Sequence, residues 1–170
     1  MDSQYLALAI QYYLAGRSAS FAYSMPVAGN LFHHAVEMLL KYFLINSYSA
    51  DQLKNEFGHN LKKLWGAFKK VVNDRTLDKF DGLISDLNDF EELRYPGKGF
   101  ISNISIYKCK RPEASWEAAK TKQYLICLED IDEFVSALLT GRVTKGWIEA
   151  LLMHGDALAQ YKKDNRHPFF

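Results

Sequence analysis

Apolar residues recur along most of the chain at the three-and-four spacing of helices. Between 27 and 46, Phe32, Ala35, Val36, Leu39, Leu40 and Phe43 fall on one broad arc. Asn30, His33, His34, Glu37 and Lys41 gather on the sector opposite. This pattern predicts a helix that buries the first arc and presents the second to solvent. The preceding segment, 3–23, is apolar nearly all round, and only Gln4, Gln11 and Ser18 make a thin polar stripe. Such a helix is buried on more than one side, at a bundle centre or half inside a subunit interface. Ser3 suits its N-cap, and Met25-Pro26 closes it, because proline disfavours helical geometry at the residue before.

Further on, Ser49 caps a short helix over 50–57, which Gly58 ends. Asn60 caps the next, whose stripe is Leu61, Leu64, Trp65, Phe68 and Val72. Leu77, Phe80, Leu83, Ile84, Leu87, Phe90 and Leu93 mark another helix, and the same spacing lands on Arg94. A charge pointed towards a core needs a partner or a route to water. Tyr95-Pro96-Gly97 ends that helix. Helix resumes with a long stripe of Tyr124, Leu128, Ile131, Val135 and Leu138, leaving Glu129, Asp130, Asp132 and Glu133 outside it. Trp147 to Tyr161 reads as a final helix before a polar tail. The expected fold is all-α, an antiparallel bundle of about five main helices with short connections. It forms a single domain over 1–170, with a core over 3–140 and a C-terminal helix and tail over 144–170.

One stretch breaks the helical pattern, an irregular insertion near 95–113. From Arg94 to Pro112 the chain holds Arg94, Lys98, Lys108, Lys110 and Arg111 and no acid, with Tyr95, Phe100 and Tyr107 interleaved. That is the composition of a phosphate-contacting loop with stacking aromatics. Within it, Ile104 and Ile106 alternate with Ser105 and Tyr107, which suits a short strand or an extended loop.

Composition narrows the class. With 48% hydrophobic and 24% charged residues, the 170-residue chain can bury a sizeable core. A formal charge of +1 excludes a general polyanion binder but leaves room for a local basic patch. No uncharged apolar run reaches membrane-spanning length. Cys109 and Cys127 form no CxxC, and Met1-Asp2-Ser3 starts without a basic leader region. These features lead us to expect a cytoplasmic protein with reduced thiols and no membrane.

The candidate chemistry lies on the polar arc. His33 and Glu37 are i, i+4 neighbours, as are Glu37 and Lys41, and a histidine held by a carboxylate can move protons. The plainer alternative is a solvated face with one ion pair. His33 and His34 diverge by about 100° on a helix, so His59 joins either only through a tertiary contact. No metal or other cofactor is therefore expected. Arg94 can meet a carboxylate such as Glu37, a phosphate, or the last carbonyls of its own helix. Walker A, GxGxxG and GxSxG patterns are absent.

The order of features is what carries a resemblance. An apolar first helix is followed by His34-Ala35-Val36-Glu37 with Leu40-Lys41, then His59-Asn60-Leu61 with Leu64, then Leu93-Arg94-Tyr95-Pro96. Over roughly residues 3 to 140 this resembles the HEPN superfamily, the higher eukaryote and prokaryote nucleotide-binding domain. The resemblance implies a bundle of four or five helices and commonly a homodimer. It also implies a connection to RNA cleavage, nucleotide binding or toxin–antitoxin and defence systems, often beside a nucleotidyltransferase.

Family members that act as RNases share an arginine followed, after four to six residues, by a histidine. None of Arg17, Arg75, Arg94, Arg111 or Arg142 has a histidine in that window, and Arg166 lies too near the end of the sequence. The expectation is a catalytically degenerate protein that binds RNA or a nucleotide. Its ligand-binding residues are His34, Glu37, Lys41, His59, Arg94, Tyr95, Lys98, Lys108, Lys110 and Arg111. The alternatives are an RNase toxin with an atypical active site, or an interaction module paired with a nucleotidyltransferase.

Overall fold

A computed structural model of the chain describes residues 2–94, 104–108, 122–141, 146 and 155–169. They are mostly helical. Helix α1 (Asp2–Phe21) turns back through Tyr23, whose φ of 56° is left-handed, into α2 (Met25–Leu44). Pro26 sits in the first turn of α2, where its missing N–H leaves no bond unmade, so it opens α2 as much as it closes α1. The two helices run antiparallel, Gly16 facing Phe32 and Tyr12 facing His34.

The Ser49 capping box starts α3 (Ala50–Gln52), which loosens into a π-turn over Leu53–Phe57 and stops at Gly58, φ 55°. Asn60 accepts the Lys63 N–H at 2.9 Å and starts α4 (Leu61–Val72). The α4 stripe is buried through Leu61, Leu64, Trp65 and Phe68. The helix expected over 77–93 is α5 (Asp81–Asp89), with tighter 3-10 turns before it (Arg75–Phe80) and after it (Phe90–Arg94). α6 (Leu128–Leu139) and α7 (Gly155–Lys162) complete the helices named here. No described helix is long and apolar enough to cross a membrane.

The all-α expectation needs one correction. Strand β1 (Ile104–Tyr107) pairs in parallel with β2 (Tyr124–Cys127), Ile104 opposite Tyr124. The alternation of Ile104 and Ile106 is therefore a strand inside the insertion. Tyr124, assigned above to a helical stripe, belongs to β2, and the helix begins at Leu128.

One core runs through the helices, with Phe32, Phe68, Phe90 and Phe134 among its fully buried side chains. Burying each contributes about 1.5–3 kcal/mol relative to exposure. Gly29 lets α2 approach Phe90 closely. A Cβ there would stand 2.0 Å from the Phe90 ring, and that ring is fully buried and has nowhere to go. Gly29→Ala is expected to destabilise the protein by about 1–3 kcal/mol despite alanine's better helix propensity, read from the urea midpoint.

A second correction concerns Asp132. It was expected outside the α6 stripe, yet it is 1% exposed. Arg17 of α1, fully buried, forms an ion pair with its Oδ2, and the Tyr13 hydroxyl donates to Oδ1 at 2.6 Å. Burial raises the Asp132 carboxyl above its usual range, against the pull of Arg17 and Tyr13. Arg17 also donates to the Lys163 carbonyl, and Asn165 donates to the Tyr13 hydroxyl at 3.3 Å. Phe169 is buried against Tyr13 and Tyr161. The polar tail is thus anchored to the core from Lys163 to Phe169.

Candidate functional site

Much of the polar arc of α2 is withdrawn from solvent, while Asn30 and His34 stay partly exposed. His33 and Glu37 are fully buried and Lys41 is 6% exposed, so the solvated-face reading fails. The arc is covered by the loop before α4, which brings His59, and by the turn after α5, which brings Glu91 and Arg94.

Glu37 is the hub. Its Oε1 accepts from Lys41 Nζ at 2.7 Å, its Oε2 from His59 Nδ1 at 2.9 Å, and His34 Nδ1 lies 3.4 Å from the same Oε2. Burial alone would raise the carboxyl. Hydrogen bonds from His34, Lys41 and His59 outweigh it and hold the group down at about 2.

The neighbours fix the histidine tautomers. A carbonyl only accepts, so His33, 2.9 Å from the Leu87 oxygen through Nδ1, carries its proton there. Its Nε2 has no hydrogen-bond partner among the described residues, although Glu91 Oε2 is 3.5 Å away and Glu37 Oε2 is 3.9 Å away. Burial lowers the His33 pKa, opposed by the Leu87 bond and the two carboxylates, which favours the neutral ring. A guanidinium only donates, and Arg94 Nη2 is 3.4 Å from His34 Nε2. The neutral His34 ring therefore accepts through Nε2 and directs Nδ1–H at Glu37. Arg94 Nη1 donates to Glu91 Oε1 at 2.9 Å.

Five of the residues picked out from the sequence thus converge: His34, Glu37, Lys41, His59 and Arg94. Arg94 pairs with Glu91, three residues earlier, and reaches Glu37 only through His34. Lys41 is committed to Glu37. Lys108 is elsewhere: its ammonium is 5.3 Å from the Phe21 ring centre at the end of α1, and Lys163 approaches the same ring at 4.9 Å. No contact joins Lys108 to the cluster among the described residues. Tyr95, Lys98, Lys110 and Arg111 lie outside the described residues.

Sequence reasoning named His33 beside Glu37 as candidate chemistry but left it out of the ligand-binding set, and it missed Glu91. The Glu91–Arg94 spacing of three was a usable signal. For His33 the spacing to Glu37 was legible, while its contacts with Leu87 and Glu91 had no local signature.

Chemically the arrangement offers three things. Arg94, 34% exposed on its side chain, has donors to spare for an oxyanion. His59, 52% exposed, is aligned by a buried carboxylate through Nδ1, with no protein bond to its other nitrogen among the described residues. Lastly, one ligand atom from each of His34, Glu37 and His59 lies within 4.8 Å of the others, a separation a metal ion can span. Comparison with models of known families, with curated proteins and with solved structures found no match for this chain.

Proposed function

We propose that this chain is a HEPN-like protein that binds RNA or a nucleotide through phosphate contacts at Arg94, which His34 and His59 flank. The observation that carries the reading is the meeting of Arg94 and His34, 60 residues apart, with His59 beside them over one buried carboxylate. The guanidinium gives one nitrogen to Glu91 and turns another towards His34, so N–H donors remain for a phosphate. The acid-free run after Arg94, with Tyr95, Lys98, Lys110 and Arg111, is assigned to the same surface on composition. Lys108 adds positive charge at the end of α1 rather than at the cluster. The resemblance also carries a homodimer, and the outer side of α1, where Leu8 is 41% exposed, is its proposed contact. A nucleotidyltransferase partner belongs to the same proposal.

Fluorescence anisotropy with labelled single-stranded RNA and with a nucleotide at low salt tests this. Binding is expected to weaken as salt rises, and Arg94→Ala to reduce affinity roughly tenfold, the scale of one hydrogen bond to a charged group. Absence of binding to either probe at low salt would refute the reading.

One observation favours a second reading, an RNase with an atypical site. Glu37 orients His59 as a carboxylate orients a general base. In that case the RNA in the same tubes is cut, and His59→Ala abolishes cutting while the fold survives. RNA left intact after long incubation removes this alternative.

A further inference from the structure

Helix α4 carries four lysines, and the fold ties down one of them. Lys69 donates to Asp78 at 2.9 Å and to Asp81 at 2.8 Å. Lys62, Lys63 and Lys70 are exposed and have no hydrogen bond or ion pair among the described residues. Lys63 and Lys70 stand at i and i+7, with Gly66 and Ala67 between them at i+3 and i+4. The four therefore share one helix face, cationic at both ends and small in the middle. That face and Lys62 border an open groove of about 420 Å³. Tyr48 and Phe57, packed edge to face with ring centres 5.1 Å apart, line the same groove, and Glu56 is the one acid lining it among the described residues.

Gly66 is the more telling feature. Glycine is a poor helix former, and inside a helix it usually makes room for a neighbour. Gly16 does so for Phe32, and Gly29 for Phe90. At Gly66 an added Cβ would meet nothing within 4 Å, so no described part of the chain needs the space. An open notch between lysines suits an anionic ligand that lies close against the helix backbone. A second open groove, beside Gly82, is lined by Asp86, Asp130 and Glu133 and offers a polyanion nothing.

We propose that the α4 groove holds a segment of single-stranded RNA. Its phosphates meet Lys62, Lys63 and Lys70, and a base lies over the Gly66 notch against Tyr48 and Phe57. Lysines beside aromatic rings fit a strand, which brings phosphates and flat bases, better than an acidic peptide, which brings the charge alone. The proposal rests on the RNA arm of the reading above and narrows it, from RNA or a nucleotide to a strand that meets Arg94 and this groove together. The two surfaces adjoin. His59, bonded to the buried Glu37, is followed by Lys62 and Lys63 within four residues. Four residues span at most about 14 Å of chain.

The test is fluorescence anisotropy of the whole chain with a labelled single strand of about 12 nucleotides, within the usual range of site sizes. Polyglutamate and AMP serve as competitors. Lys62→Ala, Lys63→Ala and Lys70→Ala together are expected to weaken binding about tenfold or more at low salt. They should also flatten the dependence of log affinity on log salt by about 2, for three lost phosphate contacts. Gly66→Leu leaves the charge unchanged and should weaken binding about tenfold, the scale of one lost base stack. Its urea midpoint should hold or rise, because leucine is the better helix former. Binding left intact by either variant overturns the proposal. So does a strand that AMP or polyglutamate displaces as readily as unlabelled RNA does. If Arg94→Ala binds as tightly as the unaltered chain while both groove variants are weak, the contact at Arg94 fails and the groove stands. The reverse pattern sinks the groove alone, and no binding of the strand sinks both.

Discussion

Asp132→Ala is expected to destabilise the protein by about 3–5 kcal/mol, seen as a lower urea midpoint with an unchanged slope. The substitution strands the Arg17 guanidinium in a fully buried place, with the Lys163 carbonyl as its remaining hydrogen-bond acceptor among the described residues and the Phe21 ring beside it. Tyr13 loses its acceptor as well. Nearly all of the cost is the uncompensated charge. The double variant Arg17→Met with Asp132→Leu, which removes both charges and keeps most of the volume, should therefore cost far less than the sum of the two single changes. A single-variant cost below about 1 kcal/mol would mean that the pair is solvated rather than buried.

Acidification should weaken the fold through Glu37. The carboxyl sits at about 2 in the folded chain, against an ordinary 4.5. A depressed folded value means that the unfolded chain takes up the proton first as pH falls. The stabilisation is therefore complete above about pH 5 and is lost on the way down through 2, and the whole step is worth about 3 kcal/mol. His33 acts in the same direction, because burial lowers its pKa and the unfolded ring takes up a proton more readily. Unfolding free energies measured from pH 7 to 2 in chelator should show this slope. Glu37→Gln should be less stable at pH 7 and much flatter across the acid range. An equal slope in both proteins would place the acid sensitivity elsewhere.

Much of the helical framework could be read from the chain, because the signals are local. The α4 stripe, the Ser49 and Asn60 caps and the Gly58 stop each depend on residues a few positions apart. The errors share a cause. Tyr124 fits the helical stripe by spacing, but it pairs with Ile104, and that pairing has no local signature. Asp132 looked solvated on its own helix, and Arg17 and Tyr13, 115 and 119 residues earlier, explain its burial. Even so, an arginine on a helix otherwise apolar all round already called for a buried carboxylate. The same holds for the site. Glu37, His34 and Lys41 were legible as a group on one helix face, and His59 and Arg94 as separate motifs. That the loop before α4 and the turn after α5 close over that face, turning a surface into a buried cluster, is decided by tertiary packing.

The tie between α1, α6 and the tail also has a temporal side. The α1–α2 hairpin needs only a short turn and can form early, on the timescale of local helix pairing. The bonds from Tyr13 and Arg17 to Asp132, and from Tyr13 to Asn165, span 119, 115 and 152 residues, so they close only after the intervening helices have collapsed. Contacts made after the rate-limiting step govern how fast a protein opens, not how fast it folds. The buried ion pair is therefore expected to act as a kinetic clasp: Asp132→Ala should speed unfolding and leave the folding rate nearly unchanged, read from the two limbs of a chevron plot.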